Sequence, residues 1–292
     1  MEIRKVPASA GAEWLLGAFR LLRKSPLGFG LLGLVYAGLW FSLILISQAS
    51  TTIGGLLQLV FMFVGPLLIA GMIFAAHEVD EGRNASPGHL LAAIRTGRAG
   101  RVITTLIPQI GVALVCLALL YVILGQENVE KLMAFSVKLQ TEAQTKGSID
   151  PNLMASLIQD LPLERLALWF VAVAAIGFGM FFFTLTVVPD MMFTDVRLVA
   201  AMKRSYRACI QNLPAVLLLL IMGFVVMMAF SLALGILGAL ANLIGGEVAM
   251  MLVNAVGNGF FVAFVAASMY FAWKQMLGDD ATPPPVSSGI AV

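Results

Sequence analysis

The sequence predicts an all-α polytopic membrane protein, with six transmembrane helices and amphipathic helices lying at its cytoplasmic face. Three observations predict it. The 292-residue chain is 60% hydrophobic and 12% charged, whereas soluble domains carry about a quarter charged residues. Its charges are segregated, with none in 25–76, 102–126, 166–189, 208–246 or 248–273. Its basic residues also gather in alternate loops. A soluble chain of this composition would expose apolar patches too large to stay dispersed. Hydrocarbon offers no water to backbone N–H and C=O groups, so an isolated segment crosses as a helix. The alternating pattern of a membrane barrel is absent.

Residues 1–26 read as a cytoplasmic arm and an interfacial helix. On a helix over Glu13–Lys24, Leu15, Ala18, Phe19 and Leu22 share one apolar face, and Glu13, Gly17, Arg20 and Lys24 share the other. Trp14 suits the headgroup zone. The helix is expected to lie in the interface with Arg20, Arg23 and Lys24 near anionic headgroups; the alternative is an ordinary solvated helix. Pro26 disfavours helical geometry at Ser25 and bends the chain into the first span.

Residues 27–277 are expected to form the transmembrane domain. A span needs about 20 apolar residues, so the tract 25–76 holds two, broken at ISQASTTIGG, residues 46–55. The tract after CIQNLP ends at ANLIGGE, residues 241–247, the turn into the last span. Six spans follow, near 27–47, 53–76, 105–124, 166–188, 214–240 and 248–273.

With six spans, one side carries Arg4, Lys5, Arg20, Arg23, Lys24, Arg83, Arg95, Arg98, Arg101, Arg197, Lys203, Arg204, Arg207 and Lys274. The other carries Lys131, Lys138, Lys146 and Arg165. The asymmetry places both termini in the cytoplasm, and an odd span count would mix the basic loops between faces. The first apolar run is span-length, longer than a signal-peptide core of about 7–15 residues, so no cleavable leader is expected. Cys116 and Cys209 are not placed to pair.

A grammar recurs along the chain. Basic stretches with apolar spacing precede Pro26, Pro108 and Pro214, each near the start of an outward-going span. Ser86-Pro87 reads as an N-cap and first turn ahead of Leu90, Leu91 and Ile94. Asp195 is a candidate cap for a helix carrying Val199, Met202 and Tyr206 opposite Arg197, Arg204 and Arg207. The pattern suggests a threefold hairpin repeat; the competing explanation is that topology alone puts basic residues in every inner loop. Residues 126–165 form an exterior helical insertion, read as two short amphipathic helices. The first carries Val129, Leu132, Met133 and Val137, and the second begins at Asp150-Pro151. The insertion is expected to pack on the bundle, or to dock a partner. The tail, 278–292, reads as disordered and cytoplasmic.

Ionisable residues inside spans mark ion pathways and proton relays, and the hydrocarbon stretches contain none. Ala255, Gly259, Ala263 and Ala267 recur every four residues, a spacing that lets another helix approach closely. Asn254 and Asn258 run beside them. Either these amides bond between helices, or they line a cavity that Gln58 and Gln109 could share. His77, Glu81 and His89 are the only cluster resembling metal ligands, and nothing completes the set. GFGLLG, residues 28–33, has a nucleotide-loop glycine pattern but lies inside a span. The sequence therefore predicts neither enzyme, cofactor nor metal site. Topology accounts for the basic loops without nucleic acid. The basic residues expected at the lipid interface are Arg20, Arg23, Lys24, Arg101, Arg204 and Arg207.

The opening MEIRKVPASAGAEWLLGAFRLLRKSPLGF, with Arg4-Lys5-Val6-Pro7, Trp14, Phe19-Arg20 and Pro26, resembles an uncharacterised family of proteobacterial inner-membrane proteins. The segment VPDMMFTDVRLVAAMKRSYRACIQNLP is similar, more loosely, to the membrane domain attached to some bacterial glycerophosphodiester phosphodiesterases. The resemblance implies a bacterial inner-membrane location and this span count, and carries no catalytic residues. The expectation is a non-enzymatic accessory or envelope-maintenance protein acting through lipids or partner proteins. The alternative is a permease or channel-like carrier for a neutral or lipid-like molecule.

Overall fold

A computed structural model describes residues 3–146 and 161–278. Every regular element among them is a helix. Five helices are long and apolar enough to cross a bilayer: Pro26–Ser47, Thr52–Asp80, Ala99–Leu124, Leu163–Phe193 and Leu213–Met276. This is a membrane protein. The chain divides into two compact units, Met1–Leu106 with Phe182–Val292, and Ile107–Phe181.

The first unit opens with α1, Ala10–Lys24, and α2, Pro26–Ala49. Ser25 leaves helical geometry between them, as the proline demands. A one-residue turn at Ser50 joins α2 to α3, Thr51–Asp80, and the Ser50 hydroxyl accepts the Ile53 N–H. The break expected within 46–55 is therefore real and very tight. A 3-10 turn over Pro87–Leu91 follows, closed by a reciprocal cap between Ser86 and His89. Short helices α4, Ala92–Arg95, and α5, Ala99–Ile103, complete this loop.

After α6, Leu106–Leu124, α7, Gln126–Lys146, and α8, Leu163–Thr184, the chain returns through α9, Val187–Phe193, and α10, Leu198–Gln211. The fourth span, expected over 166–188, is carried by α8 and the start of α9, with a two-residue turn at Leu185-Thr186 between them. The last element, α11, runs over Leu213–Met276 and is interrupted at Gly246, whose φ of 69° suits glycine. The interruption falls inside the predicted turn at 241–247. Across it the two halves pack together: a Cβ on Gly257 would lie 2.8 Å from a Leu234 methyl, and one on Gly238 would lie 3.2 Å from Asn254 Nδ2.

Small residues hold the first unit together. The stripe Ala255, Gly259, Ala263 and Ala267 is buried. At its centre α2 crosses so closely that a Cβ on Gly259 would lie 2.8 Å from the Gly33 carbonyl carbon. Gly71 on α3 admits the backbone of Leu90 in the same way.

In the second unit, Trp169 Nε1 donates to the Cys116 carbonyl at 3.0 Å, and Arg165 Nη1 donates to the Leu124 carbonyl at 3.0 Å. The outer faces of α6 and α8 present Leu114, Val122, Leu168 and Val171. On α7, Val129 is buried, while Met133 and Val137 are exposed. The second insertion helix expected from Asp150 begins outside the described residues, as does nearly all of the tail.

Candidate membrane-interface site

Helix α1 packs most extensively on α11, and it uses a different face from the one expected. Trp14, Ala18 and Leu21 are almost completely buried. A Cβ on Gly11 would lie 2.7 Å from the Leu219 amide nitrogen, and one on Gly17 would meet the Phe271 ring at 2.8 Å. Trp14 is therefore not in the headgroup zone: it is sealed in the protein, its indole N–H donating to Gln275 Oε1 at 2.8 Å. A tryptophan among glycines and alanines fills a groove that those small residues open. Leu15 and Ala18, expected to face lipid, turn inward with it, and Leu16 and Phe19 are exposed instead. Arg20, Arg23 and Lys24 are exposed as expected.

The arm before α1 is stapled to the same corner. Asn212 accepts the Val6 N–H at 2.8 Å and donates to the carbonyls of Arg4 and Ala208. Arg4 donates to the carbonyls of Lys274 and Gly278, and its own N–H reaches Met276. Residues 212–215 and the end of α11 thus anchor α1.

Helix α10 repeats the arrangement. Ala201, Ser205, Ala208 and Cys209 are buried; Val199, Tyr206 and Ile210 are exposed beside exposed Lys203 and Arg207. Burial pushes the Cys209 thiol up to about 12, leaving it protonated and unreactive. Arg204 lies on the buried face, so it departs from the interfacial role expected of it. Its Nη1 is 3.4 Å from Asp190 Oδ2, and Asp190 is fully buried. A buried carboxylate needs a charged partner, and Arg204 is the one within reach. Asp190 Oδ1 accepts the Trp273 indole N–H at 3.1 Å, whereas Oδ2 and the buried Thr186 hydroxyl have no hydrogen-bond partner. Asp195 caps nothing: Arg197 occupies the N-cap of α10, and Asp195 pairs with Arg98 and Arg101. Arg101 is consequently turned toward α9 rather than wholly outward, its Nη1 also 3.3 Å from the Thr194 carbonyl.

A second ionic cluster closes the end of α3. Asp80 Oδ2 accepts from Lys274 Nζ at 2.7 Å and from the Tyr270 hydroxyl at 3.0 Å. His77 Nδ1 is 3.3 Å from that hydroxyl, and its ring lies 5.0 Å from Phe193. Glu78 takes a bidentate bond from Arg83. Burial holds the His89 imidazole below its ordinary value, as do Arg95 and Arg83, against the opposing pull of Glu78. Among the described residues no group of three or more His, Cys, Asp or Glu could hold a metal.

Two of the candidate cavity amides make local bonds. Asn254 Nδ2 donates to the Met250 carbonyl and Asn258 Nδ2 to the Asn254 carbonyl, each back along its own helix. Asn258, Gln58 and Gln109 are exposed. Comparison with known protein families, curated proteins and solved structures finds no match for this chain.

Proposed function

We propose that this is a non-enzymatic, accessory or envelope-maintenance protein of a bacterial inner membrane, working through lipids or partner proteins. In this reading it crosses six times, with Gly246 as the turn between the fifth and sixth crossings and both termini in the cytoplasm. The observation that carries the reading is where its ionisable side chains go. Asp80 is occupied by Lys274 and Tyr270, and Asp190 by Arg204 and Trp273. Both clusters tie helices together, and the exposed basic residues face outward beside large apolar ones. The alternative reading, a permease or channel-like carrier for a neutral or lipid-like molecule, would draw on Asn254 and Asn258, each of which also bonds back along its own helix through its amide nitrogen.

Two measurements test it. Reporter fusions near residues 90 and 140 are expected in opposite compartments; finding them in the same one refutes the topology. His77→Gln and Asp80→Asn keep the shape of each side chain while removing its acid–base chemistry. Both variants are expected to rescue the envelope phenotype of a null strain when membrane levels are normal. Full loss of rescue at normal levels would point to catalysis and refute the non-enzymatic reading.

A further inference from the structure

We propose that the outward edges of α1 and α10 are docking strips for an anionic phospholipid surface, and that α1 supplies the stronger of the two. This rests on the membrane reading above and names its partner. At 3.6 residues per turn, Leu16, Phe19, Arg20 and Arg23 fall within an arc of about 100°. That arc is what remains once Gly11, Trp14, Gly17, Ala18 and Leu21 are buried against α11. Leu16 is 60% and Phe19 54% exposed, and Lys24 lies at the cationic border of the arc. Glu13 is the only acid on the helix, and it accepts from Ser9.

On α10, Val199, Lys203, Tyr206 and Ile210 fall within an arc of about 60°, with Arg207 just beyond. Val199 is 63% exposed, and Arg204 is taken out of the strip by Asp190. Large apolar side chains between cations suit neither water alone nor hydrocarbon alone. They suit the boundary, where the apolar groups reach the acyl level and guanidinium and ammonium groups meet phosphate. Charge complementarity selects the lipid: the strips carry Arg20, Arg23, Lys24, Lys203 and Arg207, so a headgroup with net negative charge is favoured over a zwitterionic one. Asn212 anchors both strips, bonding the arm before α1 and ending α10.

The test uses the full chain in nanodiscs of phosphatidylcholine with increasing phosphatidylglycerol. Ligand binding to the folded state raises the melting temperature, so wild type is expected to melt progressively higher as phosphatidylglycerol rises. Three cations at about fivefold each give a preference of about a hundredfold for α1. Arg20→Gln/Arg23→Gln/Lys24→Gln should remove most of the titration while melting like wild type in pure phosphatidylcholine. Lys203→Gln/Arg207→Gln should reduce it by a smaller factor, and Lys138→Gln should leave it unchanged. A titration unaltered in the triple variant, or absent in wild type, overturns the proposal. So does concentration-dependent dimerisation in pure phosphatidylcholine that the triple variant abolishes, since a second copy would then occupy the strip. Failure here with fusions at 90 and 140 in opposite compartments sinks the docking alone; fusions in one compartment sink the topology first.

Discussion

Substituting alanine for Gly259 should loosen the crossing of α2 and α11. The added methyl would stand 2.8 Å from the Gly33 carbonyl carbon, and ordinary contact begins at 3.4 Å. The Gly33 carbonyl oxygen lies closer still, and the neighbour is backbone on both sides, so no side chain can swing away and the helices must separate by about 1 Å. A gap of about 0.5–1 Å forfeits a quarter to a half of each dispersion contact along the crossing. With about 30 atom pairs at 0.1–0.2 kcal/mol each, the loss is about 1–3 kcal/mol, within the usual cost of overpacking. Gly223 on the same long helix is the control, because a Cβ there meets nothing within 4 Å. Gly223→Ala gains helix propensity, up to about 1 kcal/mol, with no collision. The assay is thermal unfolding of the full chain in detergent. Gly259→Ala is expected to melt about 4 °C or more below Gly223→Ala, taking about 2–4 °C per kcal/mol. Equal melting temperatures would refute the close crossing.

Three further outcomes follow from the same geometry. Trp14→Phe leaves Gln275 without the indole N–H and the groove partly empty; it should lower stability by about 1–3 kcal/mol, whereas Phe19→Ser should change it little in detergent. Arg204→Met strands the Asp190 carboxylate and should cost about 3–5 kcal/mol, and adding Asp190→Asn should recover part of that loss; a double variant worse than Arg204→Met would contradict the pairing. His89 accepts the Ser86 N–H through Nδ1 at 3.3 Å, which requires the neutral ring. Because burial depresses its folded pKa, the unfolded chain binds the proton better. Its contribution is therefore complete above about pH 6.5 and is lost as pH falls toward the folded value. His89→Gln can keep the cap, so its melting temperature should fall less than that of wild type between pH 7.5 and 5; parallel curves would exclude His89 as the source.

The helices were legible in the sequence because charge segregation is a solvent effect that acts on whole segments. The turns at Ser50 and Gly246 were legible because each needs residues that a span does not. The rotation of α1 about its axis was misread, for a physical reason. In water a large apolar face points to the core, but beside a bilayer it has two apolar destinations, lipid and protein, that hydrophobicity cannot separate. Leu15, Ala18, Phe19 and Leu22 look equivalent on that scale, yet Ala18 is buried and Phe19 is exposed.

The positions of the small residues separate the two faces. Without a large hydrophobic gain between helices, association depends on close approach, and small residues permit it. Gly11, Gly17 and Ala18 mark the buried face of α1; Ala201, Ser205 and Ala208 mark that of α10; Ala255, Gly259, Ala263 and Ala267 mark that of α11. The last stripe was read correctly from spacing alone, and the same rule applied to α10 would have placed Arg204 among the small residues and left Arg207 outside. A cation in a small-residue stripe needs a buried anion opposite it, and Asp190, just past the uncharged tract 166–189, is that anion. The interior pair and the two exposed strips thus follow from one sorting of side chains: small residues open a protein-facing groove that Trp14 and Leu21 fill, while Leu16 and Phe19 stay outside with the cations that no buried anion claims.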